Sequence, residues 1–328
     1  MRRSRGAARL SDPRASPILK LRDVGKRYRR RVVLDGLDLA LGRGEIVGLL
    51  GPNGSGKTTT LRIAAGLLWP NRGAVELLGE SLTPERSALR TRIGYLPERV
   101  PLYDPMTVRG YLEFVAGVRG LAGRRRRVAV ADALAAFALE AVAGRVIGHL
   151  SKGFRQRIGL AQALIAAPDV LLLDEPTNGL DPFQIIEARA MILRASEGRG
   201  VIFSTHILQE VAALCTRVVY LHGGRLITLG SVPPAARRLR AVIACTDPAT
   251  VVEAVRALDA GIGVRAPHAL GDRRWQLDVE LATGGASRAA VARVLATTAE
   301  LESFGAGAFE LETALQQALA GAPAGAAV

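Results

Sequence analysis

Eight residues, Gly51-Pro-Asn-Gly-Ser-Gly-Lys57-Thr58, constrain this chain more than any other stretch. They match GxxxxGK[ST] and stand directly between an apolar run, EIVGLL, and a helix-period run, TTLRIAAGLL. A strand, a glycine-rich turn and a helix in that order make a phosphate-binding loop. The glycines let backbone N–H groups close around an anion, and the helix dipole favours negative charge. An α/β nucleotide-binding domain is therefore expected, with Gly51, Pro52, Asn53, Gly54, Ser55, Gly56, Lys57, Thr58 and Thr59 around the phosphates of ATP. Lys57, expected on a surface loop, reaches the β- and γ-phosphates in this reading, and the Thr58 hydroxyl ligates Mg2+.

Two later runs extend the reading. Val170-Leu-Leu-Leu-Asp174-Glu175 and Gly200-Val-Ile-Phe-Ser-Thr-His206 are short, apolar and bounded by turn residues, the pattern of central parallel strands covered on both faces. Open α/β sheets bind ligands at the carboxyl ends of such strands. Asp174 suits a Mg2+ ligand there, Glu175 a general base for water attacking the γ-phosphate, and His206 a contact to that phosphate. Taken alone, an acidic pair closing a strand reads equally well as the start of a solvated loop, and a lone histidine as a bystander. The phosphate loop upstream tips both toward chemistry.

Around these motifs, residues 18–50 alternate strand-like runs with turn residues, as in an antiparallel sheet leading into a buried strand. From Leu61 to Ile147 helical patterns dominate after one short strand near Gly73–Leu78, as in an inserted helical lobe. Arg124–Arg127 falls between two of those helices, as a solvated turn or a docking surface. LSKGFRQRIGLAQAL, Leu150 to Leu164, opens with a hydroxyl and a glycine at a second helix start, which resembles a second anion site. Beyond SVPPAARRLR the order AVIACTD, PATVVEAVRALDA, GIGVRAP, RRWQLDVELA, SRAAVARVLATTA, ELESFGA reads βαββαβ, a ferredoxin-like order, before a final helix, ELETALQQALAG.

Composition narrows the partners. No apolar run reaches the roughly 18 residues a membrane span needs. Cys215 and Cys245 lack any metal-ligand spacing and read as two buried thiols of a reducing compartment. A formal charge of +14 points to an acidic partner, a membrane surface or nucleic acid, yet arginine is scattered through the whole chain and a GC-rich coding bias gives the same composition.

The set GPNGSGKTT, LSKGF, LLLDEPTNGLD and STH, in that order and spacing, resembles the ATP-binding subunit of an ABC transporter over roughly residues 18–230. LSKGF corresponds to that family's LSGGQ signature. The resemblance implies that Ser151, Lys152 and Gly153 contact the γ-phosphate of ATP held by a second subunit, so two chains, identical or related, sandwich two nucleotides head to tail. It places Asp181, in Gly179-Leu180-Asp181, on a D-loop that crosses the dimer interface, and Tyr28 against adenine, although a tyrosine there is also ordinary sheet packing. Lys152 stands where the family has glycine, and Glu98 where it has the glutamine that touches Mg2+ or the attacking water; the alternative for Glu98 is a purely mechanical link. The loop IGYLPERVPLYDPMTV, STHILQEV and a C-terminal extension are similar to the type-2 export branch, the gliding-motility and drug-export-like ATPases.

The fold expected is an α/β P-loop ABC ATPase domain over 18–232, with a mixed sheet, an antiparallel β subdomain and a helical subdomain about 99–150. A linker at 233–240, a small α+β ferredoxin-like domain at 241–320, and disordered tails at 1–17 and 321–328 complete it. The function expected is ATP hydrolysis driving a separate transmembrane permease, in export, from the cytoplasmic side of the cell membrane, with ATP and Mg2+ as cofactors. A non-transport ABC ATPase of translation or DNA repair is the alternative; nucleic acid is otherwise not an expected partner.

Overall fold

The computed structural model describes residues 16–231, 238–281, 288–306 and 315–316. Alternating side chains build the first layer. In β1 (Leu19–Tyr28) and β2 (Arg31–Leu41), Leu19, Leu21, Leu37, Leu39 and Leu41 turn inward while charged residues stay outside. The two strands pair antiparallel across a turn at which Arg29 has a φ of 52°. With β4 (Arg72–Leu77) and β5 (Glu80–Ser81) they form a sheet of order β2-β1-β4-β5.

The second sheet carries the site. It contains β3 (Ile46–Leu50), β6 (Ile93–Leu96), β7 (Val170–Asp174), β8 (Gly200–Thr205), β9 (Arg217–His222) and β10 (Arg225–Ser231), in the order β10-β9-β3-β8-β7-β6. All neighbours are parallel except β10 with β9. β3, β7 and β8 are buried along their whole length because helices or the first sheet cover both faces. Successive residues of β7 accordingly serve two cores. Val170 and Leu172 face α1 (Lys57–Ala64) and the antiparallel sheet, whereas Leu171 and Leu173 face α4 (Lys152–Leu164), α5 (Pro182–Ser196) and α6 (Leu208–Leu214). Phe203, the largest fully buried side chain, fills the second core, and its truncation to alanine costs about 3–5 kcal/mol.

The helical lobe packs on that same core. It comprises α2 (Val108–Val118), capped by the Thr107 side chain accepting from the Gly110 N–H at 3.1 Å, and α3 (Gly123–Ala136). Two expectations are corrected here. Ile93–Leu96, within the block read as helical, is a parallel edge strand, too short for its periodicity to register against the helices around it. Arg124–Arg127 is not a turn but the first turn of α3, with all four side chains exposed.

After residue 231 the chain resumes in β11 (Arg238–Ala244), whose start lies inside the stretch read as a linker. α7 (Pro248–Arg256), β12 (Gly263–Val264), β13 (His268–Gly271), β14 (Arg274–Glu280), α8 (Arg288–Thr298) and β15 (Glu300–Ala306) follow. The sheet order is β12-β14-β11-β15, all antiparallel, with β13 hydrogen-bonded to β14. GIGVRAP yields only a two-residue strand, ending before Pro267, which has no N–H to give a ladder. β13 is a strand that sequence reading left out; it forms because Asp272 and Arg273 both take positive φ and close a tight hairpin. Cys215 is buried but Cys245 only half-buried, which corrects the reading of two buried thiols. Of ELETALQQALAG, only Leu315 and Gln316 are described, both helical, and Leu315 packs against the second core. The rest of that helix, residues 1–15 of the N-terminal tail and the whole C-terminal tail lie outside the described residues.

Candidate active site

Because β3 is buried to its end, the chain leaving Leu50 must emerge at the carboxyl edge of the sheet, and there the phosphate loop closes. Gly56 has a φ of 110°, and a Cβ on it would lie 2.9 Å from a Leu34 methyl, so only glycine fits. No side chain caps α1, which leaves its first N–H groups to an anion. Lys57 is the first residue of α1 and only 6% exposed, so its position is not a surface loop. Its ammonium donates to the carbonyls of Gly51 at 2.8 Å and Pro52 at 3.3 Å and lies 3.2 Å from Glu175 Oε1.

The ends of β7 and β8 complete the arrangement. Glu175 has a φ of 47°, and its N–H donates to both the carbonyl and the hydroxyl of Ser204, at 3.2 and 3.1 Å. Its Oε2 is 3.0 Å from His206 Nδ1. Asp174 Oδ1 accepts from Ser204 Oγ at 2.8 Å, while its Oδ2 is buried without a hydrogen-bond partner, as is Ser55 Oγ. Burial, with the Asp174 charge nearby, raises the Tyr95 phenol above its ordinary value, so that hydroxyl stays protonated beside the carboxylate. Glu98 Oε1 accepts from Asn178 Nδ2 at 3.1 Å.

Lys57, Glu98, Glu175, Asn178 and His206 border a cavity of about 550 Å3. Of the residues named from sequence, Tyr28, Asn53, Gly54, Gly56, Lys57, Thr58, Thr59, Glu98, Glu175 and His206 line it, and Gly51, Pro52, Ser55 and Asp174 do not. Its wall also includes Arg31, Val33 and Asn178, which sequence reading missed. The signals were present: Arg31 pairs directly with Tyr28 across the hairpin, Val33 follows two residues on the same face, and Asn178 belongs to the PTNGLD run.

The donor set suits Mg2+. This ion is usually held by one or two carboxylates with hydroxyl, water and substrate phosphate oxygens completing the shell, rather than by an all-protein cage. An orphaned Asp174 oxygen, with Thr58 and Glu98 on the cavity wall, fits that pattern. No cluster of three or more His, Cys, Asp or Glu side chains able to hold a metal occurs among the described residues.

Ser151, Lys152 and Gly153 do not join this cavity. Ser151 is the N-cap residue of α4, exposed and making no side-chain bond to its helix. Gly153 is buried beneath Gln184, which a Cβ would meet at 2.9 Å. The Lys152 ammonium lies on Gly179, so close that a Cβ there would overlap it at 2.1 Å. Asp181 caps α5, accepting from the Gln184 N–H at 2.9 Å. The start of α4 is thus grouped with the Gly179–Asp181 loop, apart from the phosphate loop.

The sequence profile described as "ABC transporter" matches residues 34–178. The chain is 37% identical over 209 residues to the uncharacterized ABC transporter ATP-binding protein YxlF of Bacillus subtilis (strain 168), covering 64% of this chain and 69% of that one. It is 38% identical over 218 residues to the Nod factor export ATP-binding protein I of Burkholderia orbicola (strain AU 1054), covering 65% and 70%. Among solved structures, the dimeric post-hydrolysis state of the ATP-binding cassette MJ0796 bound to ADP and Pi aligns with a TM-score of 0.59 at 27% identity, over 63% of this chain and 96% of that one. The phosphate loop, the acidic strand end and these likenesses converge: the chain belongs to the ABC transporter family, as one of its ATP-binding, ATP-hydrolysing subunits.

Proposed function

We propose that two such subunits close head to tail around two MgATP molecules and drive a separate transmembrane permease in export. Within one chain, Tyr28 stacks on adenine, the Gly51–Thr59 loop wraps the phosphates and Lys57 offsets the β- and γ-phosphate charge. Thr58, Asp174 and Glu98 hold the Mg2+, which when bound neutralises charge on the phosphate oxygens. Glu175 takes the proton of the attacking water, and His206, seated on Glu175, faces the γ-phosphate. Ser151, Lys152 and Gly153 serve the nucleotide of the partner, with Asp181 at the shared interface.

One observation carries the sandwich reading. Ser151 presents an unused hydroxyl at the start of α4, outside the cavity in which its own chain gathers Lys57, Glu175 and His206. A permease partner is supported by exposed Tyr103, Phe114 and Val118 on the helical lobe, close in sequence to the Glu98 loop. No helix of the described residues is long and apolar enough to cross a membrane. The place that this reading gives the subunit is peripheral, on the cytoplasmic side of the permease. Export is supported by the likeness to a protein named for Nod factor export and by the GYLPE loop. Strand order β12-β14-β11-β15 with two helices supports a ferredoxin-like reading of the C-terminal unit.

The test is Glu175→Gln, which loses proton acceptance, typically about 10²–10⁴ in rate, but keeps the hydrogen-bonding shape. With MgATP this variant runs as a dimer in size exclusion, because the closed pair accumulates when hydrolysis stops. Adding Ser151→Arg, which obstructs the second site, returns it to monomer. A Glu175→Gln protein that stays monomeric with nucleotide occupancy confirmed refutes the sandwich, and copurification with a multi-span membrane protein tests the permease.

A further inference from the structure

One carboxylate outside the cavity is more deeply buried than any that lines it. Glu210, in the first turn of α6, is 1% exposed and has no cation within salt-bridge distance among the described residues. Two hydroxyls satisfy it instead. Thr177 Oγ1 donates to its Oε1, and Thr205 Oγ1 donates to its Oε2 at 2.7 Å. Thr205 Oγ1 in turn accepts from the Ile207 N–H at 3.1 Å. Both threonines are themselves buried.

The two hydroxyls belong to different segments, Thr177 in the loop after β7 and Thr205 as the last residue of β8. Thr177 lies two residues after Glu175 and one before Asn178, which bonds Glu98; Thr205 directly precedes His206. Glu210 therefore joins the loop after β7 to the end of β8, and it does not itself line the cavity. The 3.0 Å contact between His206 and Glu175 spans these same two strand ends. The loop after β7 is gripped a second time, since Gln156 of α4 donates to the Pro176 carbonyl at 2.6 Å. A buried carboxylate gains little fold stability from hydroxyl partners beyond offsetting its own desolvation. What it supplies here is a fixed spacing.

We infer that Glu210 is a positioning residue for ATP hydrolysis, holding His206 on Glu175 and Asn178 on Glu98 through Thr205 and Thr177. The inference rests on the roles proposed for Glu175 and His206. A displacement of about 1 Å at reacting groups is enough to cost about 10²-fold in rate. Nucleotide binding, which the Gly51–Thr59 loop and Tyr28 provide, does not depend on that spacing.

The experiment measures kcat and KM for ATP, together with thermal melting, for Glu210→Ala, Glu210→Gln, Thr177→Val and Thr205→Val. In Glu210→Ala, kcat falls by about 10-fold or more while KM stays within about threefold, the signature of a loss confined to the transition state. Glu210→Gln recovers most of the rate, because a threonine hydroxyl can accept from the new amide N–H as readily as it donates. A merely structural role is separated by a cycle with His206→Ala. If Glu210 acts through His206, Glu210→Ala adds less than about threefold in that background, whereas independent effects multiply in full. Should Glu210→Ala fail to fold, the two valine variants remove the bridging hydroxyls at constant shape and carry the same expectation. Unchanged kcat in the folded variants, or full multiplication in the cycle, overturns the inference. Full turnover in His206→Ala overturns the proposed role of His206 and this inference with it.

Discussion

Lys57→Ala is expected to do two separable things. The ammonium of Lys57 bridges the Gly51 and Pro52 carbonyls and the Glu175 carboxylate, and both charged side chains are almost wholly buried. Truncation leaves Glu175 Oε1 without its cation, and that oxygen has no hydrogen bond of its own. Removing one member of a buried pair typically costs about 3–5 kcal/mol. The cavity beside this pair admits water, which places the effect at the lower end, about 3 kcal/mol, or roughly 6–12 °C in Tm for a domain of this size. The assay is thermal unfolding without nucleotide, for Lys57→Ala, Glu175→Gln and the double variant. Lys57→Ala melts well below the wild type and neither binds nor hydrolyses ATP. The double variant regains most of the melting temperature, because glutamine does not require a cation, but no activity. An unperturbed Tm in Lys57→Ala, or a double variant no more stable than Lys57→Ala, refutes the assignment of the ion pair as a structural element of the site.

Glu98→Gln keeps the carbonyl that accepts from Asn178 and holds turnover within about tenfold, roughly 1.4 kcal/mol of barrier, whereas Glu98→Ala loses more and shifts the Mg2+ dependence. Superimposable Mg2+ titrations for wild type and Glu98→Ala would leave Glu98 no part in metal binding. Burial pushes the Asp169 carboxyl up, but Arg92 and Arg43 together outweigh it and hold it below its ordinary value. Its folded pKa is then below its unfolded one, so its stabilisation is complete above the ordinary carboxylate range and is lost as pH falls through the folded value. The Tm gap between wild type and Asp169→Asn is accordingly widest near neutral pH and closes in acid; parallel curves would contradict this.

Much of the site was legible because its signals are local. A glycine-rich turn between an apolar run and a helix, and two apolar runs ending in Asp174-Glu175 and His206, each announce a strand end, and parallel strands bring their ends to one edge. What stayed hidden is non-local. Ile93–Leu96 is a strand only because β7 lies beside it, and four residues carry no usable period. The burial of Lys57 follows from Glu175, which is more than a hundred residues away in the chain. Glu210 reads in sequence as an ordinary acid near a helix start, where the dipole welcomes it, and only the packing of two segments around it shows otherwise. His268–Gly271 was lost for the opposite reason, since it depends on two non-glycine residues taking positive φ in the turn.

Glu175, the base proposed for hydrolysis, stands on a left-handed backbone, a conformation in which a residue with a Cβ is typically less stable than glycine by about 1 kcal/mol. At this one position backbone strain and ion pairing pull against each other, since glycine would relax the turn but strand the buried Lys57 ammonium. The pair outweighs the strain, so a screen for thermal tolerance alone keeps a carboxylate at position 175, and with it the base proposed for hydrolysis. Sturdiness and turnover are tied to the same residue here, and stabilising changes belong elsewhere in the chain.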